Sequence, residues 1–181
     1  MPNILVVDLE ATCDENVPDF DNEIIEVGAV WATPAGEVID TFQRFVRPIE
    51  RPQLTPFCLA LTHIDQACID AAPSWHVVAA EVAEFARQHA GQCWGSWGAY
   101  DLRQIERESA RHGVTNPLAG LVHQNLKARF AKTRKIKQVG AMTALRIAGM
   151  APQGEHHRAL ADALNIARLL PCVLGHTPLL S

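Results

Sequence analysis

Residues 4 to 7 read Ile-Leu-Val-Val, and this unbroken apolar run passes straight into Asp8, Leu9 and Glu10. Consecutive apolar residues leave no polar face, so the segment suits a strand covered on both sides, at the centre of a sheet. Side chains alternate along a strand, so Asp8 and Glu10 point the same way. Two carboxylates side by side at the end of a buried strand repel each other, and desolvation adds to the cost. A chain that keeps this arrangement needs something to offset it.

The remaining pattern predicts an α/β fold. Residues 23–32 and 37–48 read as two further strands joined by a turn at Pro34, Ala35 and Gly36. Three prolines between 48 and 56 argue against a sheet there, and a short helix is expected near Phe57 to Leu61. Ser74 is a candidate cap for a longer helix with Val77, Val78, Val82 and Phe85 inward and Glu81, Glu84 and Arg87 outward. A strand in "QCWGSWGAYD" should turn at its glycines into a helix that stops at Gly113, and "GLVHQNL" reads as a fifth strand. Helices are expected at about 126–132, 138–148 and 158–170. Antiparallel-looking early strands followed by alternating strands and helices give a mixed sheet with helices on both faces. At 181 residues, one domain spanning 1–181 is expected.

Nothing resembles a transmembrane span, and "MPNILVV" lacks the basic region of a signal peptide. Five scattered cysteines without a C-x-x-C pair argue against a disulfide framework or a structural zinc site, and for the cytoplasm. The net charge of −4 hides an asymmetry: from Ser109 to Gly154 there are eight Lys or Arg and no Asp or Glu. The peak at 127–137 includes Lys132, Arg134 and Lys135, and suits attraction to a polyanion. An isolated charge run is more often a solvated helix face, but such a face usually mixes signs.

Two more acids bear on the opening pair. Asp101 lies at a strand-to-helix turn, and Asp162 lies within the Ala- and Leu-rich helix "HHRALADALNIARLL", with His157 five residues earlier. At ~100° per residue, helical positions five apart diverge by about 140°, so His157 is better placed on a loop or first turn leaning over a site that Asp162 enters from the helix. Four carboxylates are what a pair of hard cations wants, and two Mg²⁺ or Mn²⁺ ions would turn the repulsion of Asp8 and Glu10 into attraction. His157, titrating near neutrality, suits a general base. Each residue alone has a plainer account. Asp8 could end a strand, Asp101 could answer a helix dipole, and Asp162, sharing a stripe with Arg158 and Asn165, could sit on a solvated face. His63, His112, His123 and His156 have no carboxylate so regularly placed nearby.

The order Asp8-Leu9-Glu10, then Asp101, then His157 through Asp162 resembles that of the DEDDh, or DnaQ-like, exonucleases. "DLEATC", "SWGAYDLRQIERE", "NLKARFA" and "HRALADALNIA" are closer to the Eri-type branch, the histone-mRNA 3′ exonucleases and their bacterial relatives, over about residues 3 to 172. The resemblance implies an RNase H-like fold with a five-stranded mixed sheet. It implies stepwise 3′-to-5′ hydrolysis of single-stranded RNA ends or short 3′ overhangs to nucleoside 5′-monophosphates, with DNA as a close alternative substrate. Asp8 would bridge two Mg²⁺, with Mn²⁺ able to substitute. Glu10 and Asp162 would complete one ion, Asp101 would hold the other, and His157 would be the base. Ala11 and Thr12 match positions that meet the terminal nucleotide, and Leu61 and Ile64 match a wedge beside its base. His63 stands where the family usually has Gly, so a side chain there crowds the mouth or adds a contact. Trp97 is a candidate for base stacking, or else a core residue. Recognition would fall to the catalytic domain, with Lys132, Arg134 and Lys135 gripping phosphates. A nuclease-like fold serving only as a regulator is the remaining alternative, disfavoured because degenerate relatives should lose a carboxylate.

Overall fold

The computed structural model describes residues 2–17, 20–89 and 91–176, so the end of the tail, 177–181, lies outside the described residues. Its centre is β1 (Asn3–Ala11), in a five-stranded sheet of order β3-β2-β1-β4-β5. β2 (Ile24–Ala32) pairs antiparallel with β1, and β3 (Val38–Phe45) pairs antiparallel with β2. β4 (Gly91–Ser96) and β5 (Val122–Asn125) add in parallel on the other side. The sheet is therefore mixed, and β1 is flanked on both edges.

The apolar run of β1 splits by parity between two cores. Leu5, Val7 and Leu9 face Trp75, Val78, Val82, Phe85 and Ile105, from α3 (Trp75–Arg87) and α4 (Tyr100–His112). Ile4 and Val6 face the opposite core. That core draws on α5 (Leu126–Arg134), α6 (Ala141–Ile147), α7 (Ala159–Arg168) and α8 (Leu170–Leu174). Covering both faces is what allows four consecutive apolar residues in one strand. Asp8 and Glu10 continue the Ile4–Val6 row, and so face the side on which α7 packs.

Three local expectations are corrected. Val77 is exposed rather than inward, because α3 presents Trp75, Val78, Ala79 and Val82 to the sheet. Ser74 does precede α3, but its side chain makes no capping hydrogen bond. A second short helix, α2 (Gln66–Asp70), follows α1 (Pro56–Thr62) where none was expected. Five residues are too short for a periodicity to show, and Ile69 alone carries its burial. The proline-rich stretch between β3 and α1 is held by Glu23, fully buried, whose carboxylate accepts the N–H groups of Ile49, Glu50 and Arg51 at 2.7–3.1 Å.

Candidate active site

Three elements bring their ends together. β1 delivers Asp8 and Glu10. Beyond β4 the chain turns through Trp97, Gly98 and Ala99 into α4, whose first turn carries Asp101. Gly98 adopts φ 130°, a region in which a side chain would be strained. α7 brings Asp162 over the sheet from the other side. Its approach depends on Gly28, which pairs with Asp8 across β1 and β2: a Cβ at Gly28 would lie 2.2 Å from the Ala159 carbonyl carbon. The resulting cleft, of about 280 Å³, is lined by the four acids together with Trp97, Tyr100, Ala141, His156, His157 and Ile166. A larger hollow, about 510 Å³, lies between the end of α3 and Gly120 and holds none of these acids.

Oxygens of Asp8, Glu10 and Asp162 lie within 4.8 Å of one another. Glu10, Asp101 and Asp162 are buried and Asp8 is half-buried. Among the described residues no Lys or Arg pairs with any of the four, and the one ionisable side chain of opposite potential charge against them is His156, beside Asp162. Burial first, and then Asp101, Asp162, Glu10 and Glu26, push the Asp8 carboxyl well above its ordinary range. Burial, followed by Asp162 and Glu26, raises Glu10 to about 8. Asp101 rises to about 6 through burial, partly offset by hydrogen bonds from its own backbone, Ser96 and Leu9. This is a donor set of hard oxygens strained by unneutralised charge, and divalent cations fit it.

His157 lies in the turn before α7, not within the helix, the placement the spacing favoured. Its backbone is left-handed, φ 62°, and its N–H donates to Asp162 Oδ2 at 3.0 Å. Burial first, then His156, hold its imidazole below the ordinary range, against a smaller opposing pull from Asp162. It is therefore neutral near pH 7 and free to accept a proton. The solvated-face account of Asp162 fails, since Asp162 and Asn165 are both buried. Three of the four other histidines do have a carboxylate nearby. His156 Nδ1 lies 3.0–3.1 Å from both Asp162 oxygens, His112 Nε2 lies 3.2 Å from Glu108, and His63 Nε2 lies 4.0 Å from Glu155. The His156 and His157 rings stack at 3.9 Å.

The substrate-contact candidates divide. Trp97 is half-buried on the cleft wall, with Nε1 donating to the Val139 carbonyl at 2.9 Å and its ring against Phe130. It is both a lining and a packing residue. Ala11 and Leu61 are half-buried. Two candidates are buried. Ile64, 2% exposed, packs with Ile25, Leu54, Cys58 and Ile69. Thr12, 3% exposed, uses its hydroxyl to accept the Glu23 N–H. His63 is exposed and caps α1 in the left-handed conformation, φ 54°. Such a cap favours glycine, so His63 holds a backbone conformation that a side chain disfavours. Lys132 and Lys135 are exposed and Arg134 is half-buried over Phe130. They sit at the end of α5 that meets α8, where the Thr133 hydroxyl donates to the Val173 carbonyl.

Sequence reasoning missed Tyr100, His156 and Glu26. Tyr100 and His156 adjoin residues already chosen, and that adjacency was the available signal. Glu26 gave none beyond being an acid in an apolar strand.

Comparison with known proteins gives a consistent picture. The RNase_T family model, described as an exonuclease, matches residues 5–170. The mouse protein 3′-5′ exoribonuclease 1 is 32% identical over 178 residues, covering 92% of this chain and 51% of that protein. The chain thus spans about half the length of the curated relatives it matches. A structure titled as 3′-end specific recognition of histone mRNA stem-loop by 3′-exonuclease superposes with TM-score 0.89 at 28% identity, covering 97% of this chain and 64% of that one. The nuclease domain of 3′hExo, a DEDDh family member bound to rAMP, gives TM-score 0.86 at 28% identity, covering 93% and 89%. The sheet order and flanking helices are those of the RNase H-like fold that the motifs implied.

Proposed function

The chain belongs to the exonuclease family whose model spans residues 5–170, and from that premise we propose that it is a DEDDh-type 3′-to-5′ exoribonuclease. It acts as one domain on single-stranded RNA ends or short 3′ overhangs and releases nucleoside 5′-monophosphates. The observation that carries this reading is the meeting of Asp8, Glu10 and Asp162 within 4.8 Å beside Asp101 and His157, with no Lys or Arg to neutralise them among the described residues. Preference for RNA rests on the relatives named as exoribonucleases and on the neighbour solved with rAMP.

Asp8, Glu10, Asp101 and Asp162 would hold two Mg²⁺, with Mn²⁺ able to substitute. Such a pair, when bound, supplies Lewis-acid stabilisation of the phosphodiester and acidifies the attacking water. The chain's own residues do the rest. His157, kept neutral by burial and His156, takes the proton from the water. Trp97 and Tyr100 form the wall on which a terminal base stacks. Ala11, Leu61 and the exposed His63 are the side chains assigned to the terminal nucleotide, with the buried Thr12 and Ile64 as their support. Lys132, Arg134 and Lys135 extend the grip to backbone phosphates away from the cleft. Five free cysteines fit a reducing compartment, and we place the protein in the cytoplasm.

The test uses 5′-labelled single-stranded RNA and the matching DNA, each with Mg²⁺, with Mn²⁺ and with EDTA. A metal-dependent ladder shrinking from the 3′ end, faster on RNA, is the expected result. A faster ladder on DNA moves the substrate to DNA. Metal binding without hydrolysis of either strand leaves a nuclease-fold regulator instead.

A further inference from the structure

Glu26 is a fifth acid beside the cleft and has a different set of partners. It lies on β2 opposite Glu10, fully buried. Its carboxylate accepts from Gln43 Nε2 at 2.9 Å, Arg158 Nε at 3.2 Å, Arg158 Nη2 at 3.1 Å and the Ala159 N–H at 3.1 Å. Three of those four donors belong to the two residues that follow His157. The Arg158 guanidinium also covers the Phe45 ring, 5.4 Å from its centroid. On its other side, His157 is tied by its own N–H to Asp162.

His157 therefore lies between two fixed points, with a left-handed backbone. A non-glycine residue keeps such a conformation only when its surroundings over-determine it. We propose that Glu26 is a positioning residue for His157: through Arg158 and the Ala159 amide it fixes the turn that aims the imidazole into the carboxylate cleft. The link is direct, because Glu26 sits on the strand that pairs with β1. The histidine is thereby registered to the same sheet that carries Asp8 and Glu10. This inference rests on the reading of His157 as the general base.

Two variants test it. Glu26→Gln keeps the shape and an acceptor for the Ala159 amide but removes the charge that holds the guanidinium. Arg158→Met keeps an apolar stem over Phe45. With labelled RNA and Mn²⁺, each variant should lower kcat ~10–100-fold with KM within ~3-fold, as sub-ångström displacement of a catalytic group does. The double variant should be no slower than the worse single one, because both act through one link. In the metal-free protein without substrate, hydrogen exchange at the His157 and Ala159 amides should accelerate ~10-fold or more while β1 amides keep their protection. Unchanged kcat in both variants overturns the proposal. So does exchange that accelerates equally in β1, which would assign Glu26 to general stability. Should the wild-type protein hydrolyse no nucleic acid, the function reading fails, and the exchange pattern alone decides the positioning role.

Discussion

At the scale of the residue, the cleft divides its labour between charge and proton transfer, and two substitutions separate the roles. Asp8→Ala should abolish hydrolysis and weaken Mn²⁺ binding at least ~10-fold by calorimetry, because it removes a carboxylate that Asp101, Asp162 and Glu10 all act upon. His157→Ala should cut turnover by ~10²–10⁴ with Mn²⁺ affinity nearly unchanged. Normal turnover in that variant would remove the base assignment. The opening pair of carboxylates was legible from alternation alone, since period two forces Asp8 and Glu10 onto one side. Asp101 and Asp162 were not legible in that way, because each had an ordinary local explanation and only the order of motifs singled them out. Glu26 was invisible: its contact with Arg158 joins positions 132 apart, and neither composition nor spacing encodes such a pairing.

At the scale of the element, the contact between β2 and α7 controls the cleft. Gly28→Ala would set a methyl against the Ala159 backbone, which cannot give as a side-chain tip would. It should cost ~1–3 kcal/mol or more and lower Mn²⁺ affinity by lifting Asp162 from Asp8, read together by thermal unfolding and calorimetry. A stable variant with unchanged affinity would mean that α7 can tilt without disturbing its acid. The basic end of α5 calls for a different measurement. Replacing Lys132, Arg134 and Lys135 together should weaken RNA binding and flatten its salt dependence, the slope falling by roughly 0.7 per lost phosphate contact on a single strand. An unchanged slope returns the segment to a solvated helix face. Strand and helix identities were readable because apolar runs and 3.6-residue stripes are local. Short α2 and the outward turn of Val77 were not, since burial at those positions depends on what packs above them.

At the scale of the whole molecule, the acids make folding and metal binding oppose each other across pH. Glu10 sits at about 8 and Asp101 at about 6 in the folded state, above the ordinary values of 4.5 and 3.8. Away from the cleft, burial raises Glu108 to about 7. A raised carboxyl holds its proton longer in the folded chain. Its stabilising contribution is complete below the unfolded value and is lost as pH rises through the folded one. The metal-free protein should therefore lose stability as pH rises from about 4, where the unfolded carboxyls ionise, to about 8, where Glu10 does so in the folded state. The lowered His112, His123 and His157 pull the other way as pH passes their ordinary value. Divalent cations should restore most at the upper end, where the ligands are ionised. Thermal midpoints in EDTA and in Mn²⁺ should thus diverge as pH rises; parallel curves would mean that the cleft does not dominate the pH response.

The sheet order β3-β2-β1-β4-β5 also has a consequence in time. Its central strand is made before the other four, but the elements that complete the cleft beside it arrive in sequence, α4 after β4 and α7 only after α5 and α6. A partly synthesised chain can hold Asp8, Glu10 and Asp101 and still lack His157 and Asp162. For the nuclease proposed here, the polynucleotide directing its synthesis meets no finished cutting centre until the last helices have emerged.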